Sequence, residues 1–207
     1  DYYEAEQLIA TIEAKGCIPY VRVGANDPLC IKRVLDAGAK GVIVPMINSE
    51  QDARKAVDAV KYPPVGRRGV GLARAQGYGF NFKEYAERAN ADTIVIAQIE
   101  HIDAINNLQE IINVDGIDGT IIGPYDLSGS MGKPGKYEDS DVVDVLRKYE
   151  EVSKKVNKPM GYHIIEPNHK LVLEKIKNGY TFIAFSLDIL FLGTICREEM
   201  NFLRSSI

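Results

Sequence analysis

Six short apolar runs alternate with amphipathic stretches along the chain, and this alternation limits the fold more than any other feature. The runs are Ile18–Val23, Gly41–Pro45, Thr93–Glu100, Gly119–Gly123, Pro159–Ile164 and Phe182–Leu187. Several of them are apolar on both faces, which is typical of strands in a parallel sheet covered by helices. The pattern therefore predicts an α/β protein built from repeated strand–helix units.

The amphipathic stretches predict eight helices. They are Tyr3–Lys15, Pro28–Ala37, Ser49–Val60, Phe82–Ala89, Ile102–Ile112, Asp141–Val156, Asn168–Asn178 and Asp188–Leu203. A complete eight-stranded barrel takes about 250 residues, whereas this chain has 207. We therefore expect a single domain over residues 1–207, a (β/α)8 TIM barrel that is N-terminally incomplete and lacks its first strand, first helix and second strand. An open sheet that never closes is the alternative.

Charge and cysteine content exclude several classes of protein. The net charge of −4 gives no basis for binding nucleic acid or an anionic membrane, and no apolar run is long enough to cross a bilayer. The three cysteines are Cys17, Cys30 and Cys196, which are far apart and form no zinc-type pair. We expect reduced thiols in a cytoplasmic protein.

Two acidic side chains come at the ends of consecutive apolar runs. Glu100 closes one run, and Asp126 follows the next after a Gly-Pro-Tyr sequence. Ligands of parallel α/β proteins bind at the carboxyl ends of strands, where two carboxylates repel each other unless a cation lies between them. Helix capping is the other interpretation. We expect a metal site, and since no Cys or His pair adds soft ligands, we expect Mg²⁺ or Mn²⁺.

Two further kinds of side chain are candidates for chemistry. Arg22 ends the first run among apolar neighbours, so it either forms a structural ion pair or directs its charge at a substrate oxygen. A proton acceptor is harder to assign among the three histidines. His163 is the best candidate because it lies near the end of a predicted strand.

One long connection, residues 61–81, is rich in glycine and arginine. Connections of this length in compact domains are usually functional or disordered. The sequence leaves two interpretations open, a packed Ω-loop and a loop with cationic tips that contacts another subunit or covers a pocket.

Several short motifs resemble, in chain order, the HpcH/HpaI family of metal-dependent (class II) pyruvate aldolases, of the 2-dehydro-3-deoxyglucarate or 4-hydroxy-2-oxo acid aldolase type. They include Val21-Arg22-Val23, Leu35-Asp36-Ala37-Gly38, Arg68-Gly69-Val70-Gly71, Gln98-Ile99-Glu100 and Gly123-Pro124-Tyr125-Asp126-Leu127-Ser128. The resemblance implies a lyase that reversibly cleaves a 4-hydroxy-2-oxo acid into pyruvate and an aldehyde, with Mg²⁺, Mn²⁺ or Co²⁺. The alternatives are a citrate-lyase-like barrel that handles acyl-CoA or phosphoenolpyruvate, with an anion groove supplied by Arg67, Arg68 and Arg74, and a non-catalytic barrel that binds a 2-oxo acid.

The resemblance also implies roles for individual residues of this chain. It implies that Glu100 and Asp126 bind the metal and that Gln98 and the backbone of Tyr125 contact the 2-oxo acid. Arg22 would stabilise the enolate-like transition state. Asp36 would support the catalytic base within its own or a neighbouring subunit. Similar proteins are homo-oligomers, commonly hexamers built from dimers that exchange a C-terminal helix, which corresponds to Asp188–Leu203.

This chain departs from the family pattern in two respects. The family's base is a histidine in an Asp-x-Glu-His motif that does not occur in these residues, and we expect it before Asp1. The position of Tyr125 usually carries a small residue, so the phenol is expected to narrow the pocket or to reach the aldehyde.

Overall fold

All six predicted strands are present in the computed structural model, which describes residues 1–207. They form one sheet in sequential order, and every pair of neighbours is parallel. The strands are β1 (Tyr20–Arg22), β2 (Gly41–Val44), β3 (Ile94–Ile99), β4 (Gly119–Ile122), β5 (Met160–Ile164) and β6 (Phe182–Phe185). Because parallel neighbours need crossover connections, helices separate all of them, as the sequence predicts.

Ten α-helices surround or precede these strands. They are α1 (Tyr2–Ala14), α2 (Pro28–Asp36), α3 (Glu50–Val60), α4 (Phe82–Asp92), α5 (Ile102–Asn106), α6 (Leu108–Ile112), α7 (Pro124–Ser130), α8 (Ser140–Val156), α9 (His169–Lys177) and α10 (Asp188–Ser206), and a 3₁₀ helix spans Arg74–Gly79. None of these helices is both long and apolar enough to span a lipid bilayer.

The helix starts follow the capping rules that the sequence displays. Asp27 accepts hydrogen bonds from the backbone N–H groups of Leu29 and Cys30, and Pro28 occupies the first turn of α2. Ser49 caps α3 by accepting from the N–H of Asp52. Such caps satisfy N–H groups that have no partner within the helix. They also set where each helix leaves the carboxyl end of the preceding strand.

The sheet is strongly curved. The rings of Tyr20 on β1 and Phe182 on β6 meet edge-on with their centroids 6.0 Å apart, although these strands are the two outer strands of the sheet. The curvature brings the two edges towards each other, as in part of a barrel. The predicted α/β class with a parallel sheet is therefore confirmed, and the elements missing from a complete barrel stay a prediction.

The core lies between the sheet and the helices packed outside it. Ile31 and Leu35 of α2, Ile111 of α6, and Val42 and Val95 of the central strands are buried together in one apolar cluster. Burying one such side chain stabilises the fold by about 1.5–3 kcal/mol. This layer fixes the central strands, and with them the positions of the residues that follow their carboxyl ends.

The long connection, residues 61–81, packs against the amino ends of the strands. Lys61 Nζ donates to the backbone oxygen of Thr93 at 2.6 Å, just before β3. Arg74 donates to the backbone oxygen of Ala37 at 3.0 Å, just before β2. These contacts lie at the end of the sheet opposite Glu100, so the connection packs on its own chain and does not cover the site at Glu100.

Candidate active site

A chain of hydrogen bonds joins three of the predicted site residues at the carboxyl ends of the strands. Arg22 Nε donates to Gln98 Oε1 at 2.7 Å, and Gln98 Nε2 donates in turn to Glu100 Oε2. Arg22 is exposed at the end of the edge strand β1. It is therefore neither buried nor held in a structural ion pair, and its remaining guanidinium donors are directed at no protein acceptor.

Glu100 directly follows β3 and is only 3 % exposed. Its Oε1 accepts the backbone N–H of Met46 at 2.9 Å. Met46 has a positive φ of 54°, a left-handed conformation that is uncommon for a side chain of this size. Burial raises the pKa of the Glu100 carboxyl, the Asp126 carboxylate raises it further, and Arg22 opposes both effects.

Asp126 does not lie at the end of a strand, which corrects the sequence-based prediction. Strand β4 ends at Ile122, and Asp126 belongs to the first turn of α7. Pro124 starts that helix, since its fixed φ suits a first helical position. Asp126 nevertheless acts electrostatically on both Glu100 and His163. The two carboxylates therefore face the same site from β3 and α7.

Gly123 allows the turn between β4 and α7 to approach Glu100 closely. A Cβ built on Gly123 would lie 3.2 Å from Glu100 Cβ and 3.3 Å from Glu100 Oε2. These separations are tighter than most real side-chain contacts. A larger residue here would push α7, and with it Asp126, away from Glu100.

His163 also faces the site, and the sequence ranked it only weakly. On β5 the side chains of Tyr162 and Ile164 are buried, whereas His163 between them is half-buried, so the alternation along the strand directs it to the concave side. Burial lowers the pKa of the imidazole, and Arg22 lowers it further, while Asp126 raises it. The structure thus places the His163 imidazole near Arg22 and Asp126.

Tyr125 and Tyr137 lie beside Asp126. Tyr125 is in the first turn of α7, where backbone N–H groups have no intrahelical acceptor. Tyr137 was not predicted as a site residue. Burial raises the pKa of its phenol, and Tyr125, Asp126 and Glu166 raise it further. No local sequence signal identifies Tyr137, because it reaches the site from the connection between α7 and α8.

Asp36 is not brought into this cluster. It is the last residue of α2, just before β2 begins at Gly41, and so lies towards the amino ends of the strands. Its carboxylate pairs with Arg68 at 2.7 Å and with Lys32. A role for Asp36 in supporting the base therefore requires the site of another subunit.

The donor set fits a hard divalent cation. Glu100 and Asp126 both supply carboxylate oxygens. The Asp126 carboxylate makes ionisation of Glu100 less favourable, and a cation between the two side chains would offset this repulsion. No cluster of three or more His, Cys, Asp or Glu side chains suited to a metal occurs in residues 1–207. Two protein ligands are compatible with Mg²⁺ or Mn²⁺, which usually keep positions for water and substrate.

The chain resembles proteins that are named aldolases. It is 36% identical over 199 residues to a 2-dehydro-3,6-dideoxy-6-sulfogluconate aldolase of Pseudomonas putida, an alignment that covers 96% of this chain and 77% of that protein. It is 40% identical over 175 residues to a hydroxypyruvate/pyruvate aldolase of Sagittula stellata, covering 84% and 68%. The chain spans between 65% and 77% of the length of such curated relatives.

Solved structures agree with this resemblance. The crystal structure of a HpcH/HpaI aldolase/citrate lyase family protein from Burkholderia cenocepacia matches with a TM-score of 0.92 and 29% identity, covering 99% of this chain and 81% of that one. These relatives confirm the predicted family and the predicted enzyme class, an aldolase. Because the sequence model of the family also matches residues 2–192, the chain belongs to the HpcH/HpaI aldolase/citrate lyase family.

Proposed function

We propose that the protein is a divalent-metal-dependent aldolase that reversibly cleaves a 4-hydroxy-2-oxo acid into pyruvate and an aldehyde. The observation that carries this proposal is the hydrogen-bonded series Arg22–Gln98–Glu100, with Asp126 beside it at the carboxyl ends of the strands. It combines a cation, a polar amide and two metal-type ligands. The names of the relatives support the same chemistry.

In this proposal Glu100 and Asp126 hold Mg²⁺ or Mn²⁺. When bound, such an ion supplies Lewis acidity to the 2-oxo group of the substrate. Glu100 is oriented for this role by two donors, the N–H of Met46 and the side-chain amide of Gln98. Donors of this kind fix the direction in which a carboxylate ligand presents its free lone pairs.

Arg22 stabilises the negative charge that develops on the substrate. As the C3–C4 bond breaks, its electron pair moves towards the C2 oxygen and forms the enolate of pyruvate. The Nε of Arg22 is occupied by Gln98, so the guanidinium is fixed while its other N–H groups point at the substrate oxygen. One such preorganised donor is worth about 10²–10³ in turnover.

Cleavage also requires a base that takes the proton of the 4-hydroxyl group, and C3 must then receive a proton. The resemblance implies a histidine of the Asp-x-Glu-His motif as the base, supported by Asp36 of a neighbouring subunit. Within residues 1–207, His163 is the imidazole beside Arg22 and Asp126. Its pKa is lowered by burial and by Arg22, which favours the neutral imidazole, and that form can hydrogen-bond to substrate without adding charge.

The proposal includes a homo-oligomer of barrel subunits in the cytoplasm. Helix α10 has no buried residue, and Ile189, Leu192 and Phe202 on it are exposed. An unpaired apolar helix of this kind fits an exchanged C-terminal helix in a dimer-based hexamer. The approach of Tyr20 to Phe182 supports the (β/α)8 barrel, and the free cysteines agree with a reducing compartment.

The acyl-CoA alternative loses its main support. It relied on Arg67, Arg68 and Arg74 as an anion groove, but Arg68 pairs with Asp36 and Arg74 pairs with Glu13 at 2.6 Å. Both guanidinium groups are thus neutralised within the chain, at the end of the sheet opposite Glu100. Arg67 stays exposed and lines a groove with Lys32, Arg54 and Lys55, but that groove includes none of the residues around Glu100.

The decisive experiment measures pyruvate release from 4-hydroxy-2-oxo acids with added Mn²⁺ and with excess chelator. We expect turnover that the chelator abolishes and Mn²⁺ restores, and that is lost in Glu100→Gln. Turnover that persists in chelator would contradict the metal-dependent mechanism. Acyl-CoA thioesters serve as the comparison substrates, and we expect no cleavage of them.

A further inference from the structure

Two tyrosines form one rim of the candidate site, beyond the residues that the reaction uses. Tyr125 is 52 % exposed and Tyr137 is 39 % exposed. Tyr125 lies in the first turn of α7 next to Asp126, and Tyr137 lies in the connection between α7 and α8. The proposed reaction assigns a role to the backbone of Tyr125 only, so both phenol groups are unexplained.

The rim is held in place by its own contacts. Ser128 is fully buried, and its Oγ donates to the backbone oxygen of Tyr125 at 2.8 Å while accepting the N–H of Gly135 at 3.0 Å. A Cβ on Gly135 would lie 3.5 Å from Tyr125 Cε2, so the loop passes directly beside the ring. The ring of Tyr125 therefore packs against the loop that carries Gly135.

Ion pairs join the two ends of the loop that carries Gly135 and Tyr137. Lys133 Nζ lies 2.6 Å from Asp139 and 2.5 Å from Asp141, at the start of α8. Tyr137 is between these partners in the sequence, so its position is restricted at both ends. A rim that is ordered before substrate binds can select among substrates, because little conformational entropy is lost on binding.

Two carboxylates act on this rim. Asp126 and Glu166 both act on the Tyr137 phenol, and Glu166 follows the carboxyl end of β5 closely. A cation held by Glu100 and Asp126 would offset the charges of these two ligands but would not neutralise the carboxylate of Glu166. An anionic group at this rim would therefore meet the like charge of the Glu166 carboxylate.

We propose that Tyr125, Tyr137 and Glu166 select the aldehyde half of the substrate, favouring an uncharged hydroxyaldehyde over one that carries a carboxylate or sulfonate. The inference rests on the proposed function, since it assigns the part of the substrate beyond C4. The two phenols and the Glu166 carboxylate offer donors and acceptors to aldehyde hydroxyls. The Pseudomonas putida relative, by contrast, is named for a sulfonated compound.

The test compares aldehydes in the condensation direction. Pyruvate and Mn²⁺ are supplied with glycolaldehyde or glyceraldehyde, and separately with succinic semialdehyde or glyoxylate, and kcat/KM for each aldehyde is followed by product mass. We expect the uncharged hydroxyaldehydes to be preferred by about tenfold or more, since a like charge at short range costs roughly one power of ten. A preference for the anionic aldehydes would overturn the proposal.

Two variants test whether the rim residues cause the preference for uncharged aldehydes. Glu166→Gln should raise the use of succinic semialdehyde relative to glycolaldehyde by roughly three- to tenfold, and Tyr137→Phe should weaken glycolaldehyde selectively through KM. Glu110→Gln makes the same change of charge on the exposed surface of α6 and should leave the ratio unchanged. An unchanged ratio in Glu166→Gln would overturn the assignment of Glu166.

A second measurement separates this inference from the proposed function. Exchange of the pyruvate methyl protons with D₂O, in Mn²⁺ and without aldehyde, reports enolate formation alone. Exchange without the expected aldehyde preference overturns the inference and leaves the aldolase proposal standing. Absence of exchange overturns the aldolase proposal, and the inference falls with it.

Discussion

Arg22 and Gln98 are joined by a hydrogen bond of 2.7 Å that connects β1 to β3 across the intervening strand β2. The same amide donates to Glu100 through its nitrogen. One side chain therefore orients both the proposed enolate-binding cation and a proposed metal ligand. Since Gln98 lies within a strand that is buried along nearly its whole length, this arrangement is set by the rigid sheet rather than by a loop.

Replacing Gln98 with Leu keeps the volume of the side chain but removes both hydrogen bonds. We expect kcat/KM for aldol cleavage to fall by about 10- to 100-fold and Mn²⁺ binding to weaken, because partners of metal ligands typically contribute that much. Steady-state pyruvate release over a Mn²⁺ titration measures both effects. Gln109→Leu, on the exposed face of α6, is the matched control, and full activity in Gln98→Leu would show that the hydrogen bonds are dispensable.

Glu100→Gln separates metal binding from folding. The pKa of Glu100 is raised by burial and by Asp126, so the metal-free wild type loses stability as the pH rises from about 4.3, the unfolded value, through the folded pKa. The neutral amide avoids this loss, and we expect the metal-free variant to unfold at the same or a higher temperature at pH 8. We also expect it to lose the Mn²⁺-dependent stabilisation of the wild type, which is about 2.7 kcal/mol at 100 times Kd.

Thermal unfolding with Mn²⁺ and with chelator measures this difference. Glu110→Gln, exposed on α6, should keep the Mn²⁺-dependent rise in unfolding temperature. An equal rise in Glu100→Gln and in the wild type would remove Glu100 from the metal site.

The strands and most helices follow from local pattern, because their apolar residues recur at the period of each element. Helix α7 was not predicted, since Pro124–Ser130 is short and contains glycine and two serines, which are weak helix formers. Because this helix was not predicted, Asp126 was assigned to the end of a strand instead of to the first turn of α7. The predicted helix Ile102–Ile112 is divided at Asn107 into α5 and α6, a break that the apolar period does not reveal.

The candidate site was predictable only in part. Glu100 and Arg22 could be found because each follows or ends an apolar run, and such residues meet at one end of a parallel sheet. Tyr137 and Glu166 could not, since their approach to Asp126 depends on how two connections fold over the strand ends. Asp36 could be placed by motif, but its ion pair with Arg68 arises from a contact between distant segments.

Removing the charge of Arg22 should change the titration of His163. Burial and Arg22 lower the pKa of His163, so the unfolded chain takes up this proton first and folding stability falls as the pH drops through about 6.5. In Arg22→Met we expect the pKa of His163 to rise, because the repulsion is removed. The chain has three histidines, so NMR titration of the imidazole protons resolves each one. The exposed His169 provides the control signal, and an unchanged pKa of His163 in Arg22→Met would contradict its placement beside Arg22.

Two adjacent arginines in the long connection should differ widely in their effect on stability. The side chain of Arg68 is 0% exposed and pairs with Asp36, whereas that of Arg67 is 87% exposed. Arg68→Met leaves Asp36 with only Lys32, so we expect a loss of about 3 kcal/mol in the free energy of unfolding, at the low end for a broken buried pair. Arg67→Met should change it by less than about 0.5 kcal/mol. Urea unfolding of both variants measures the difference, and equal stabilities would mean that the ion pair does not anchor residues 61–81 to the amino ends of the strands.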